Sequence, residues 1–198
     1  MAVANNTGTG AGLELLQHLS QVIIQQKTRV AANKYTVKTV DDAVLLTLKE
    51  DNGVMAFLAS GKSRGFHIDA VDSLGRNAFS LRRPTVFASD KVEVSMGGRV
   101  VSVVRKEPTM MKPLFNINDG NNTPQLRVKG EFTDYEFELQ TRDKRPIGSI
   151  SKKFAGVLKE MFTVADNYLI TFPADLGLPY KAATIAACIL IDYRYHEN

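Results

Sequence analysis

The last apolar run of the chain is Ala182-Ala-Thr-Ile-Ala-Ala-Cys-Ile-Leu-Ile191, with Lys181 before it and Asp192 and Arg194 behind it. No polar face can be drawn on this run as a helix, because its one hydroxyl, Thr184, can bond back to a carbonyl one turn earlier. A helix that is apolar all round is buried, either in a protein core or in lipid. Crossing a bilayer takes about 20 apolar residues, and a window that long would take in Lys181, Asp192 and Arg194. Near a helix centre each charge costs about 3 kcal/mol, against about 0.5 gained from an Ile or Leu. The pattern therefore predicts a core helix, with Ile185, Cys188, Ile189 and Ile191 buried in it, and a chain that wraps around it.

Upstream, Leu13, Leu15, Leu16, Leu19, Val22 and Ile23 recur at helical spacing, which predicts a short amphipathic helix as far as about Gln26. Its polar face (Glu14, Gln17, His18, Gln21, Gln25) lacks the basic residues of a membrane-surface helix, so it reads as a helix packed on the outside of the domain. From Asn33 onward the texture is short, alternating and rich in β-branched and aromatic residues. One pattern occurs four times: an aromatic, an aliphatic two places on, a polar turn, then a second alternating run. The copies begin at Tyr35-Thr-Val37, Phe66-His-Ile68, Phe115-Asn-Ile117 and Phe137-Glu-Leu139, with turns at Asp41-Asp42, Asp72 to Gly75, Asp119 to Asn122 and Asp143-Lys144. Each predicts a β-hairpin. A further hairpin turns at Gly97-Gly98, and Tyr168 to Phe172 is a last strand stopped by Pro173. A short helix is expected over Lys152 to Phe162, and Pro179 suits the start of the core helix. The architecture expected is mainly β: a closed antiparallel meander of about 12 strands around the apolar C-terminal helix, since closure removes the reactive sheet edges.

At 198 residues, 44% hydrophobic and 23% charged, the chain has the make-up of one globular domain. Residues 1–11 are small and polar and are expected to be disordered, leaving 12–198 as a single barrel domain. Met1-Ala-Val-Ala has neither the basic start nor the apolar run of a signal peptide. Cys188 is the only cysteine, which rules out an internal disulfide and points to a reducing, cytoplasmic setting. The net charge of +4 suits an anionic partner without demanding one.

Enzyme signatures are lacking. His18, His67 and His196 are scattered, and Ser60-Gly-Lys-Ser63 ends like a phosphate-binding loop but has Ala56 where that motif's first glycine belongs. No catalytic site is expected.

Gly148-Ser-Ile-Ser-Lys-Lys-Phe-Ala-Gly-Val-Leu-Lys-Glu160, Ala165-Asp-Asn-Tyr168, Phe172-Pro173 and Lys181 to Tyr193 resemble the C-terminal half of the phospholipid scramblase family. Gly12-Leu-Glu-Leu-Leu16, Gln25-Gln26, Asn33-Lys-Tyr35 and Leu81-Arg-Arg-Pro84 extend the likeness forward. The resemblance implies the tubby C-terminal fold, a closed barrel around a hydrophobic helix. It also implies calcium-stimulated, energy-independent, bidirectional movement of phospholipids between leaflets, and in some members nuclear entry or DNA binding.

Three family features can be set against this chain. The calcium segment maps onto Val164 to Asp175, with Asp166, Tyr168, Ile170 and Asp175 as its candidate ligands. Val164 and Leu169 stand where an EF-hand loop has a ligand and its glycine, so calcium would be held at millimolar strength at best. The segment reads better as a core strand with Asp166 in the turn before it. Where relatives carry a lipidated cysteine cluster, this chain has Phe87-Ala-Ser-Asp-Lys-Val-Glu93, with no cysteine. The nuclear-import segment keeps only Lys152 and Lys153 and reads as a solvated turn.

Basic residues gather at Arg82-Arg83, Arg105-Lys106, Lys112, and Arg142, Lys144 and Arg145. They are either hairpin tips that keep the protein soluble or a patch for anionic headgroups, worth about 1 kcal/mol per residue. Two functions follow. One is a scramblase, peripheral at the plasma or an internal membrane. The other is a soluble barrel module that binds anionic lipid, protein or, more weakly, nucleic acid, in cytoplasm or nucleus, and moves no lipid.

Overall fold

The computed structural model describes residues 11–27, 34–50, 65–85, 90–110, 112–130, 136–152 and 167–196. Helix α1 (Ala11–His18) leads into twelve strands: β1 (Gln21–Lys27), β2 (Lys34–Lys38), β3 (Val44–Glu50), β4 (Phe66–Val71), β5 (Asn77–Arg83), β6 (Lys91–Met96), β7 (Arg99–Lys106), β8 (Leu114–Asp119), β9 (Pro124–Gly130), β10 (Glu136–Thr141), β11 (Pro146–Ser151) and β12 (Asn167–Thr171). Helix α2 (Leu178–Ile191) follows and runs into a π-helical turn, Asp192–His196. Each strand pairs antiparallel with the next, and β1 pairs with β12 to close the barrel. The predicted short helix over 152–162 lies outside the described residues, apart from Lys152.

The helix expected as far as Gln26 is half as long as its periodicity suggested. It stops at His18, and Gln21 to Lys27 form β1. Val22-Ile-Ile24 is β-branched throughout, which favours strand over helix, and β1 gains two hydrogen-bonded neighbours by joining β12 and β2.

The four repeats of the sequence share one turn. Residues 39, 72, 119 and 141 each accept, at the carbonyl, a backbone hydrogen bond from the residue three on: Asp42 at 3.1 Å, Gly75 at 3.0 Å, Asn122 at 2.9 Å and Lys144 at 3.0 Å. Those later residues are all left-handed, with φ of 67°, 77°, 64° and 67°. A side-chain oxygen of Thr39, Asp72, Asp119 or Thr141 also takes the amide of the residue four on. This is the three-residue hairpin loop with its bulge, and the strand register slips beside each one. The fifth hairpin turns through Gly97 and Gly98, at φ of 55° and 76°, as a tight two-residue loop requires.

Inward positions pair round the barrel: Val22 with Ile170, Ile24 with Val37, Ile68 with Leu81, Val104 with Ile117, Val128 with Leu139, and Ile150 with Ile170. They form a single buried cluster with α2, in which every residue from Lys181 to Ile191 is fully buried. A helix buried on all faces within one closed sheet fills its lumen. Gly177 precedes α2 and Pro179 lies in its first turn. The Thr184 hydroxyl donates to the Tyr180 carbonyl at 2.8 Å, so the one polar side chain inside the run is satisfied within the helix.

Candidate functional site

An antiparallel meander places alternate connections at the same end of the barrel. The five tight hairpin turns lie at one end, together with α1 and the start of α2. The opposite strand ends, Lys27 and Lys34, Glu50 and Phe66, Arg83 and Lys91, Lys106 and Leu114, Gly130 and Glu136, and Ser151 and Asn167, lie at the other, with the end of α2.

At the tight-turn end α1 lies across the opening, with Leu13 and Leu16 buried in the core. It packs so close to β3 that a Cβ on Gly12 would clash with the Leu45 carbonyl oxygen. Lys181, in the first turn of α2, donates to the carbonyls of Leu16 (3.2 Å), Gln17 (2.8 Å), Leu19 (2.7 Å) and Ala174 (2.8 Å). Three of these acceptors belong to the frayed C-terminal end of α1, where a cation is favoured by the helix dipole. Burial pulls the Lys181 ammonium below its ordinary pKa, opposed by the field of Asp175.

Charges on the turns here are of both signs, and three of the turns hold an ion pair. Lys38 meets Asp42 at 2.7 Å, Arg76 meets Asp72 at 2.9 Å and Arg145 meets Asp143 at 2.7 Å. The Thr141 hydroxyl and the Arg145 guanidinium hold the Asp143 carboxyl below its usual range. Arg142, Lys144 and Arg145 are exposed on this end, around Asp143.

The opposite end is built differently. Asp192, at the C-terminal end of α2, is buried and accepts the hydroxyls of Tyr35 (3.0 Å) and Tyr168 (2.8 Å). Arg83 is 1% exposed and grips Asp90 through Nε (2.8 Å) and a terminal nitrogen (2.9 Å). Its guanidinium lies 5.6 Å from the Tyr193 ring centre and 6.0 Å from that of Phe66. Arg194 adds a second, longer contact to Asp90 at 3.5 Å. Around this buried network the rim is basic: Arg82 near the end of β5, Lys91 at the start of β6, Lys106 at the end of β7, Lys112, and Lys129 near the end of β9. Of the described acids beside them, Glu50 and Asp90 are buried, Glu93 pairs with Lys91 at 2.7 Å, Glu107 accepts from Asn116 at 2.8 Å, and Glu136 is exposed at the start of β10.

The structure thus divides the predicted basic group. Arg82, Lys106 and Lys112 share the basic end, whereas Arg142, Lys144 and Arg145 lie at the other. Arg105 sits on the outer wall and donates to Asn122 at 3.3 Å, toward the tight-turn end. Arg83 must be removed from the surface group: it faces inward with Phe66, and its charge is neutralised by Asp90. Lys91 and Lys129 join the rim although no sequence cluster marked them. Their signal is positional, each lying at or beside the strand end that points this way.

The proposed calcium ligands are not brought together. Tyr168 is buried with its hydroxyl on Asp192, and Ile170 is a fully buried strand residue opposite Val22. Asp175 is exposed at the other end of β12, and Asp166 lies outside the described residues. Among the described residues there is no group of three or more His, Cys, Asp or Glu placed to hold a metal. The described residues of this segment, from Asn167 to Asp175, do not form a calcium loop. Lys152 stacks its ammonium 5.2 Å from the Tyr168 ring, while Lys153 lies outside the described residues. Cys188 is buried in α2, and burial, with the nearby Asp192, pushes its thiol well above the ordinary value. Among the described residues no helix is long and apolar enough to cross a membrane.

The family model described as Scramblase matches residues 1–198. The chain belongs to the scramblase family. It is 29% identical to human phospholipid scramblase 1 over 94% of this chain and 66% of that protein. To bovine phospholipid scramblase 2 it is 30% identical over 94% of this chain and 71% of that one. Human phospholipid scramblase family member 5 is 29% identical, with 94% and 78% covered. This scramblase-family chain therefore spans about two thirds to three quarters of the length of these relatives. Among solved structures, a protein from Arabidopsis thaliana matches with a TM-score of 0.54 at 13% identity, covering 89% of this chain and 93% of that one. At that identity it attests the barrel and nothing more.

Proposed function

We propose that the protein docks peripherally on anionic membranes through the basic end of its barrel and takes part there in the energy-independent, bidirectional movement of phospholipids between leaflets. Family membership supports the lipid activity. The observation that carries the docking surface is the segregation of charge: Arg82, Lys91, Lys106, Lys112 and Lys129 share one end. Each basic residue that reaches the headgroup region adds about 1 kcal/mol of attraction. Of the candidate calcium ligands, Tyr168 and Ile170 are buried in β12 and Asp175 lies beyond its far end, so these three do not form a calcium loop. Isothermal calorimetry is expected to find no calcium site tighter than millimolar in this chain.

A second reading is favoured by α2 itself. A helix sealed in a barrel cannot also span a bilayer, and this agrees with a soluble module that binds anionic lipid, protein or nucleic acid without moving lipid.

Vesicle experiments separate the two. Cosedimentation with phosphatidylserine vesicles is expected at low salt. It should weaken as the Debye length shrinks from about 30 Å at 0.01 M to about 8 Å at physiological ionic strength. Equal, salt-insensitive binding to phosphatidylcholine would overturn charge-led docking. A leaflet-exchange assay with fluorescent lipid on the same vesicles then decides function: binding with exchange supports the scramblase reading, and binding without exchange supports the module.

A further inference from the structure

The segment between β7 and β8, residues 107–110 and 112–113, lies on the basic end and is held by backbone and side-chain hydrogen bonds. The Glu107 amide donates to the Leu114 carbonyl at 2.8 Å, closing its base, and the Gly130 amide donates to the Pro113 carbonyl at 2.7 Å, tying it to β9. The Thr109 hydroxyl donates to the Lys112 carbonyl at 2.6 Å and bends the tip. On that tip Met110 stands fully clear of the protein, the most exposed of the large apolar side chains among the described residues.

A single exposed apolar side chain needs no explanation on most surfaces. This one differs in its setting. Leu15, Val44, Leu74 and Val100, the other exposed large apolar residues among the described residues, all lie at the tight-turn end. Met110 alone of the five projects from the basic end, between Lys106 and Lys112. Long cationic side chains around an unbranched apolar tip match the bilayer interface, where the cations stay with phosphates while the apolar group enters the acyl boundary.

We propose that Met110 is the point at which the basic end enters an anionic bilayer. The inference rests on the docking reading above and adds to it an apolar contact that salt does not screen. One methionine is too small to hold the protein on neutral lipid, so anionic lipid is still required.

The chain contains no tryptophan, so Met110→Trp installs a single reporter at the tip. On phosphatidylserine vesicles its emission is expected to shift to shorter wavelength and to be quenched by brominated acyl chains. Leu74→Trp, at the opposite end, should show neither change. Met110→Asp is expected to weaken vesicle binding about tenfold, the loss of a moderate apolar contact, with the thermal melt unchanged. If Met110→Trp cosediments with the vesicles but its emission does not move, insertion is overturned and docking survives. If it does not sediment at all, the docking reading fails as well. A shift at Leu74→Trp instead would put the other end on the membrane and overturn both.

Discussion

At one end of the barrel a helix lies across the opening, three of the five short turns pair charges of their own, and Lys181 binds the lid from below. At the other end the connections are longer, the buried charges are held by tyrosines and an arginine, and the outer rim is left basic. Both ends carry a charge of the wrong sign for the dipole of α2: a cation in its first turn and an anion just past its last. Neither can be there for the dipole. Lys181 serves the C-terminal carbonyls of α1, and Asp192 serves the hydroxyls of Tyr35 and Tyr168. The central helix is thus fastened at both ends by side chains of remote segments. One fastening carries a lid, whereas the other sits beneath a surface fit for an anionic partner.

The comparison presumes a sealed interior between the ends, and the largest expected effect tests that. Ile189→Asp places a carboxylate in an apolar lumen and should cost about 4 kcal/mol or more in denaturant unfolding. A variant as stable as the parent would mean that the helix is not packed.

The two fastenings should then differ in size. Lys181→Met leaves buried carbonyls without their donor and is expected to cost about 3 kcal/mol, with α1 amides exchanging first by hydrogen exchange. Asp192→Asn retains an acceptor for a tyrosine and should cost nearer 1 kcal/mol. Equal losses with α1 still protected would erase the distinction between lid and floor.

For the outer surfaces, replacing Arg82, Lys106 and Lys129 together with Gln should lower phosphatidylserine-vesicle affinity by about 1 kcal/mol per charge. The same treatment of Arg142, Lys144 and Arg145 should do little. A reversed result would move the docking surface to the tight-turn end.

The smallest effect sharpens the same point. Lys144 is left-handed at φ 67°, a conformation that glycine adopts without steric cost. Lys144→Gly should therefore stabilise the barrel by about 0.5 kcal/mol, read in a thermal melt, and leave vesicle binding as it was.

Much of this molecule was written locally. Thr39, Asp72, Asp119 and Thr141 each hold their own turn through a side-chain oxygen, so four hairpins could be read from recurring short strings. The run from Ala182 to Ile191 declared its burial by having no polar face, whatever surrounded it. Closure decided the rest. Val22 to Ile24 can satisfy either a helical or a strand pattern, and only the presence of β12 beside it, far along the chain, made it β1. Arg82 and Arg83 are neighbours in sequence, but strand alternation sends one outward to the rim and the other inward onto Asp90. Lys106 and Lys129 come to share an end with Arg82 because the direction of each strand, set by the count of hairpins before it, decides where its last residues emerge. Charge along a chain carries no such information, because electrostatic patches depend on distance in space and the meander fixes that distance only once it has closed.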